Sequence, residues 1–294
     1  MVSVQPITTL VVPGDLSLRE TCGPVAWGGG RWPNLDWLDG CLVWFGLEQG
    51  RTASRIVRQP DPAKPLLFVA GQRRPEGDAR WAEQVLGTTA AAPVIGDPVI
   101  AGLAARFPGM RPTGSPSLYD GVIGAIVGQS ISVKAAAVTE RRLAALFNEP
   151  VELLGRAFWP LPSAAQVAAA DPALVRTSGV TQRRADALVA IARLAVDGAL
   201  PSPEDCRADP DEAARRILAL PLVGRWTAES ILLWGVASPD RYPTGDVALL
   251  RAARLAYGQP GMTMRELDVL SELWRPGRSW AARWLWLNLL GTAD

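Results

Sequence analysis

The chain contains no histidine in 294 residues. That absence excludes Ser-His-Asp and Cys-His nucleophilic catalysis, HExxH zinc sites and every acid/base scheme that relies on imidazole. Cysteine is also sparse. Cys22, Cys41 and Cys206 are too few for a four-cysteine metal site or a disulfide framework. Of 30 basic residues only Lys64 and Lys134 are lysines, so a mechanism built on an amine nucleophile has two candidates. The N-terminus lacks a charged segment followed by an apolar one, and no apolar run approaches roughly 18 residues. A soluble, cytoplasmic protein without membrane association is therefore expected. The balance of 30 basic against 29 acidic residues gives +1, too even to point to a polyanionic partner, although a local basic surface stays open. What the chain does have is apolar content, 48%, and a length that suggests about two domains.

The texture changes along the chain. The first 90 or so residues are rich in Gly, Pro and Trp, with short apolar runs at 10–12, 41–45 and 65–69 bounded by turn residues. Such runs predict strands of a small antiparallel sheet. Gly28-Gly29-Gly30 reads as a loop, because no Gly-Lys-Ser/Thr follows it. From about residue 97 the chain becomes rich in Ala, Leu and Arg at helical spacing, and helices are expected over 132–147, 181–195, 211–220, 226–234, 247–256 and 278–290. Asp209 is the expected N-cap of the third, with Pro210 at its first position. The expected class is α+β, a β-domain over 1–92 and an all-α domain over 93–294.

The most informative stretch is LPLVGRWTAESILLWG, residues 220–235, which reads as helix, tight turn, helix. The second helix of such a hairpin offers free backbone N–H groups at its N-terminus, where the helix dipole favours a phosphate oxygen. Arg225 can add charge there, and Thr227 can bond the backbone or the phosphate. A glycine between helices also serves simply as a cap. Shortly afterwards Tyr242-Pro243-Thr244-Gly245-Asp246 opens another helix. Asp246 there has two compatible roles, helix cap and reactive carboxylate.

GRWTAES, YPTGDVALLRAA and the upstream YDGVIGAIVGQSISVKAAA at 119–137, taken together, resemble the helix-hairpin-helix DNA glycosylase superfamily, most nearly DNA-3-methyladenine glycosylase II, its alkylation-repair branch. The resemblance covers about residues 97–294. A weaker likeness links DLSLRETCGPVAW at 15–27 to the first strands of the β-domain found in this branch and in 8-oxoguanine glycosylases. The resemblance implies a monomeric enzyme that acts on damaged double-stranded DNA without cofactor, metal or obligate protein partner. It flips a damaged base out and hydrolyses the base–sugar bond. Asp246 matches the catalytic aspartate, suited to stabilising oxocarbenium-like charge and orienting the attacking water. Bifunctional members carry a Schiff-base lysine where this chain has Trp226, which implies a monofunctional enzyme.

The same resemblance assigns the surroundings. Trp226 and Trp286 match aromatic positions of the base pocket, where an indole face attracts a cationic alkylated purine by up to about 2 kcal/mol. With twelve tryptophans in the chain, a core role for either is the plain alternative. Ser230 and Leu287 stand where relatives often have aromatic rings, implying a wider pocket. In GQSIS, Gln129 matches a residue facing the orphaned base, with Ser130 or Ile131 as the wedge that enters the gap. Leu222 replaces the hairpin's usual first glycine, and Gly224 is retained; a positive φ at Leu222 would cost about 1–2 kcal/mol. Arg275, Arg278 and Arg283 are further candidates for phosphate contact. A protein that binds DNA or senses lesions through the hairpin without excising them is the alternative from another class.

Overall fold

The computed structural model describes residues 7–28, 32–48, 50–71 and 75–291. The chain folds as α+β. Strands β1 (Ile7–Val11), β2 (Leu35–Leu38), β3 (Cys41–Glu48), β4 (Arg51–Arg58) and β5 (Leu66–Gly71) form one antiparallel sheet in the order β1-β5-β4-β3-β2. The three predicted strand runs fall on β1, β3 and β5. The sheet is not purely β in its surroundings. The stretch 15–27, expected as strand, forms instead α1 (Leu18–Gly28), bent at Gly23. The local reason is visible: Ser17 receives the Glu20 N–H in its side chain and the Thr21 N–H in its carbonyl, starting a helical turn. Gly28 closes this helix, while Gly29 and Gly30 lie outside the described residues. Helix α2 (Pro75–Leu86) follows β5, and its Trp81, Ala82, Val85 and Leu86 face the sheet at helical spacing.

The helical part runs through α3 (Pro98–Arg106), α4 (Leu118–Gly128), α5 (Val133–Ala145), α6 (Ala164–Ala168), α7 (Pro172–Arg176), α8 (Gln182–Val196), α9 (Pro203–Ala208), α10 (Pro210–Leu218), α11 (Arg225–Gly235), α12 (Val247–Ala256), α13 (Met264–Ser271) and α14 (Arg278–Leu290). A small hairpin, β6 (Val151–Leu153) and β7 (Arg156–Phe158), interrupts it. Phe158 packs with Val43 and Phe45 on the face of β3 opposite α1 and α2, so β3 is buried on both sides. Asp209 caps α10 through Glu212 N, with Pro210 first in the helix, as the sequence predicts.

Helix α11 lies between two apolar cores. Its Ala228, Ile231 and Leu232 join α4, α5 and α8, whereas its Leu233 joins α3, α12 and α14. It crosses α4 at a glycine pair: a Cβ on Gly121 would meet Gly235 Cα at 2.7 Å. No other residue at 121 allows that approach without a shift. This contact locks the helix of the hairpin to the helix that ends in GQSIS. Glu140 of α5 is buried beside Gly124 of α4, and burial pushes its carboxyl up to about 8. Among the described residues no helix is long and apolar enough to cross a membrane.

Candidate active site

The hairpin turn joins α10 to α11. Val223 N donates to Leu220 O at 3.2 Å, closing a turn with Pro221 second and Leu222 third. Pro suits the second position, and the third requires positive φ in a type II turn. Leu222 adopts φ 59°. It pays the left-handed penalty and is held there by two contacts: its side chain packs on the core around α4 and α11, and its carbonyl accepts from Gln129 Nε2 at 2.9 Å. Gly224, the N-cap, is extended at φ −92°, ψ 178°, and no side chain caps the helix. A Cβ there would meet nothing within 4 Å, so its surface lies open above the first N–H groups of α11. Arg225 is exposed beside them. Thr227 is placed differently from expectation. It is 4% exposed, and its hydroxyl is occupied by Gln129 Nε2 at 3.1 Å rather than turned to solvent.

Gln129 therefore ties the α4–α5 turn to the hairpin, and its carbonyl accepts from Arg184 of α8. The side-chain amide nitrogen is occupied in the free protein, whereas the sequence resemblance implies that Gln129 faces an orphaned base. Ser130 follows with φ 56° and is exposed, and Ile131 is also exposed. Ser132 then caps α5 through Ala135 N. The exposed Ser130-Ile131 pair forms the tip of this turn, one residue beyond the anchored glutamine.

Asp246 is presented by another tight turn. Asp246 N donates to Pro243 O at 3.0 Å, and Gly245 at φ 87° supplies the left-handed residue. Tyr242 anchors the turn from behind; its hydroxyl donates to Asp268 at 2.9 Å. The Asp246 carboxylate then makes two contacts. Oδ1 accepts from Leu249 N at 2.7 Å, capping α12, and Oδ2 accepts from the indole N–H of Trp226 at 3.0 Å. Cap and reactive-group candidate are thus one side chain. Its two bonds use about half of a carboxylate's acceptor positions, leaving the rest available. Both Asp246 and Trp226 are half-buried. The carboxylate stands at the surface between α11 and α12, and lines neither of two cavities: one of about 350 Å³ flanking the hairpin at Arg225, Arg241 and Thr244, the other of about 1160 Å³ between the sheet and the N-terminus of α4.

The other pocket candidates divide. Trp286 is half-buried and stacks on Trp234 of α11, centroids 5.3 Å apart and planes 25° apart. Ser230 and Leu287 are buried, 7% and 3% exposed. Leu287 packs against the bend of α1, where a Cβ on Gly23 would meet its Cδ2 at 2.8 Å. These two do not form an open, widened pocket wall; they are core positions. The three arginines divide, and only Arg283 is removed from phosphate contact. Arg275 and Arg278 are paired with Asp240 and Glu272. Arg283 is 5% exposed, out of reach of a phosphate, and lies over the ring of Trp234 at 4.1 Å. Trp234 and Arg283 are the residues the sequence reading did not join. The available signal was Arg283, the second arginine of RSWAARWLWLNLL and the one in its apolar interior, three positions before Trp286. Among the described residues no cluster of three or more metal-ligating side chains occurs.

The chain is similar to several known proteins. A relative from Mycobacterium tuberculosis described as a probable bifunctional transcriptional activator/DNA repair enzyme AlkA is 35% identical over 194 residues, 66% of this chain and 38% of that protein. DNA-3-methyladenine glycosylase 2 of Escherichia coli is 30% identical over 194 residues, 66% of each chain. This chain therefore matches less than two thirds of the length of either. The fold is similar to that of a 3-methyladenine DNA-glycosylase from Archaeoglobus fulgidus, with TM-score 0.77 at 18% identity over 97% of this chain and 99% of that one. Residues 123–276, which contain the anchored turn, the hairpin and Asp246, match the family described as HhH-GPD superfamily base excision DNA repair protein, and the chain belongs to that superfamily.

Proposed function

We propose that the protein is a monofunctional DNA N-glycosylase that flips alkylated bases of the 3-methyladenine type out of double-stranded DNA and removes them by hydrolysis. The observation that carries the reading is the Asp246 carboxylate bonded to Trp226 of the hairpin helix, so that the phosphate-facing element and the acid form one unit. In this reading the uncapped N–H groups of α11 and Arg225 take a backbone phosphate, and the Ser130-Ile131 tip enters the stack left by the extruded nucleotide. Cleavage breaks the bond from C1′ to the base nitrogen, and positive charge builds on the deoxyribose. The remaining acceptor positions of Asp246 stabilise that charge and orient a water, whose oxygen bonds to C1′ while its proton passes to the carboxylate or to solvent; the electron pair of the broken bond stays with the cationic base, which leaves neutral. Trp226, and Trp286 with its stacked neighbour, provide the aromatic surfaces for the base. Trp226 stands where an amine nucleophile would be needed for strand cleavage, so no Schiff base forms. The relatives' names support this substrate class, and we infer a monomer acting in the cytoplasm.

The test is base release from methylated duplex DNA, read by chromatography of the freed bases, with borohydride present in a parallel reaction. The expected result is released 3-methyladenine or a related base and no protein–DNA adduct. A trapped adduct overturns the monofunctional assignment. Binding to damaged DNA without release establishes the alternative, a lesion-sensing protein; the position of Asp246 outside both cavities is the observation on that side.

A further inference from the structure

Arg283 is a buried cation held by neutral groups. Its guanidinium donates to Thr113 Oγ1 at 2.9 Å, to Thr113 O at 2.7 Å and to Leu233 O at 2.7 Å, and no carboxylate pairs with it among the described residues. Burial lowers its pKa to about 9, which leaves it charged at neutral pH. The guanidinium lies 4.1 Å from the centroid of Trp234, and that ring stacks on Trp286. Arg283 and Trp286 leave the same helix three positions apart, so both reach Trp234 from α14.

We propose that Arg283 sets the charge preference of the base pocket, turning the Trp234–Trp286 stack from a surface that favours cationic bases into one that accepts neutral lesions equally well or better. The inference deepens the glycosylase reading and rests on it, because it takes Trp286 as the surface that receives the base. The physical reason is that an indole attracts a cation through its electron-rich face. Here one partner of the stack already carries a cation. With centroids 4.1 Å and 5.3 Å apart, a base stacked on Trp286 lies within about 14 Å of the guanidinium. At an effective dielectric constant near 20, the repulsion between two unit charges at that distance corresponds to a roughly fivefold to tenfold loss of affinity for the cation. A neutral lesion of the same shape does not meet this repulsion. The stack keeps its shape complementarity and gives up its charge selectivity.

The experiment compares two duplexes that differ in charge and not in shape. One carries 7-methylguanine and the other the neutral isostere 7-methyl-7-deazaguanine, both on a cleavage-resistant 2′-fluoro sugar. Affinities are measured for the wild type, Arg283→Met and Arg283→Lys. The wild type should bind the two within about threefold of each other, or favour the neutral one. Arg283→Met should raise the ratio of cationic to neutral affinity by roughly fivefold to tenfold, and Arg283→Lys should leave it near the wild-type value. An unmoved ratio in a folded Arg283→Met overturns the proposal. So does a wild-type preference of more than tenfold for the cationic duplex, a measurement that needs no variant to fold. Failure of the underlying glycosylase reading looks different: neither lesion is bound better than undamaged DNA, and no base is released from a cleavable substrate.

Discussion

Replacing Asp246 by asparagine separates the two jobs of that side chain. Asparagine is as good an N-cap as aspartate, and its Oδ1 accepts the Leu249 N–H that now lies 2.7 Å from the carboxylate. The other terminal atom becomes an NH₂ group facing the indole N–H of Trp226 from 3.0 Å, donor against donor. The indole loses its acceptor; because Trp226 is half-buried, water replaces part of it and the cost is about 1 kcal/mol. The chemistry loses far more. Removing a full negative charge beside a developing oxocarbenium centre lowers the single-turnover rate by roughly 10²–10⁴-fold. The assay is base release with enzyme in excess, beside fluorescence anisotropy for DNA binding and thermal unfolding for stability. Asp246→Asn should bind DNA with near wild-type affinity and unfold slightly earlier. Asp246→Ala should lose a further ~0.5–2 kcal/mol through the missing cap, with no greater loss of rate. If Asp246→Asn releases base at the wild-type rate, the carboxylate is a cap and nothing more. A rate loss that merely follows the folded fraction refutes the reasoning equally.

Two other variants probe the surroundings. Trp226→Phe keeps an aromatic ring but removes the N–H to Asp246 Oδ2, a hydrogen bond to a charged group worth about 1.5–3 kcal/mol. The single-turnover rate should fall roughly 10- to 100-fold while affinity for undamaged duplex stays put; an unchanged rate shows that the bond does not position the carboxylate. Glu140→Gln tests the buried acid between α4 and α5. The Glu140 carboxyl titrates near 8 in the folded chain and near its ordinary value in the unfolded one, so the folded state holds the extra proton between those limits. Stability is therefore lost as pH rises through that window, and the glutamine variant, which cannot ionise, escapes the loss. Denaturant unfolding should show Glu140→Gln more stable than wild type by roughly 2–4 kcal/mol at pH 8.5, with the gap closing below pH 5. A pH-independent difference would remove burial of the charge as its cause.

Much of the helical part was legible because its signals are local. Asp209-Pro210 and Asp246 cap the helices that follow them, and the span 247–256 matches α12 residue for residue. Other elements left weak traces. The β6–β7 hairpin turns on Leu154 and Gly155, both at positive φ, and leucine gives no turn signal at such a position. Helix α1 carries Gly23 and Pro24 within eleven residues, a composition that argues against a helix until the sheet supplies a surface to bury Leu18 and Cys22. Leu222 is the instructive case in the site. Its identity predicts strain, and two distant contacts hold the turn: its side chain packs on the core around α4 and α11, and Gln129, 93 residues earlier, donates to its carbonyl.

Residue types and short spacings alone establish the class of fold, the order of hairpin, turn and acid, and the exclusion of imidazole chemistry and of four-cysteine metal sites. Which groups meet is set by packing in three dimensions. The bond from Trp226 to Asp246 spans a helix and a loop; the Gln129 anchor, the Gly121–Gly235 crossing and the Arg283–Trp234–Trp286 contact join distant segments. Side-chain partners at such separations are selected by how two apolar cores pack around α11, and that packing is a property of the whole chain rather than of any window within it.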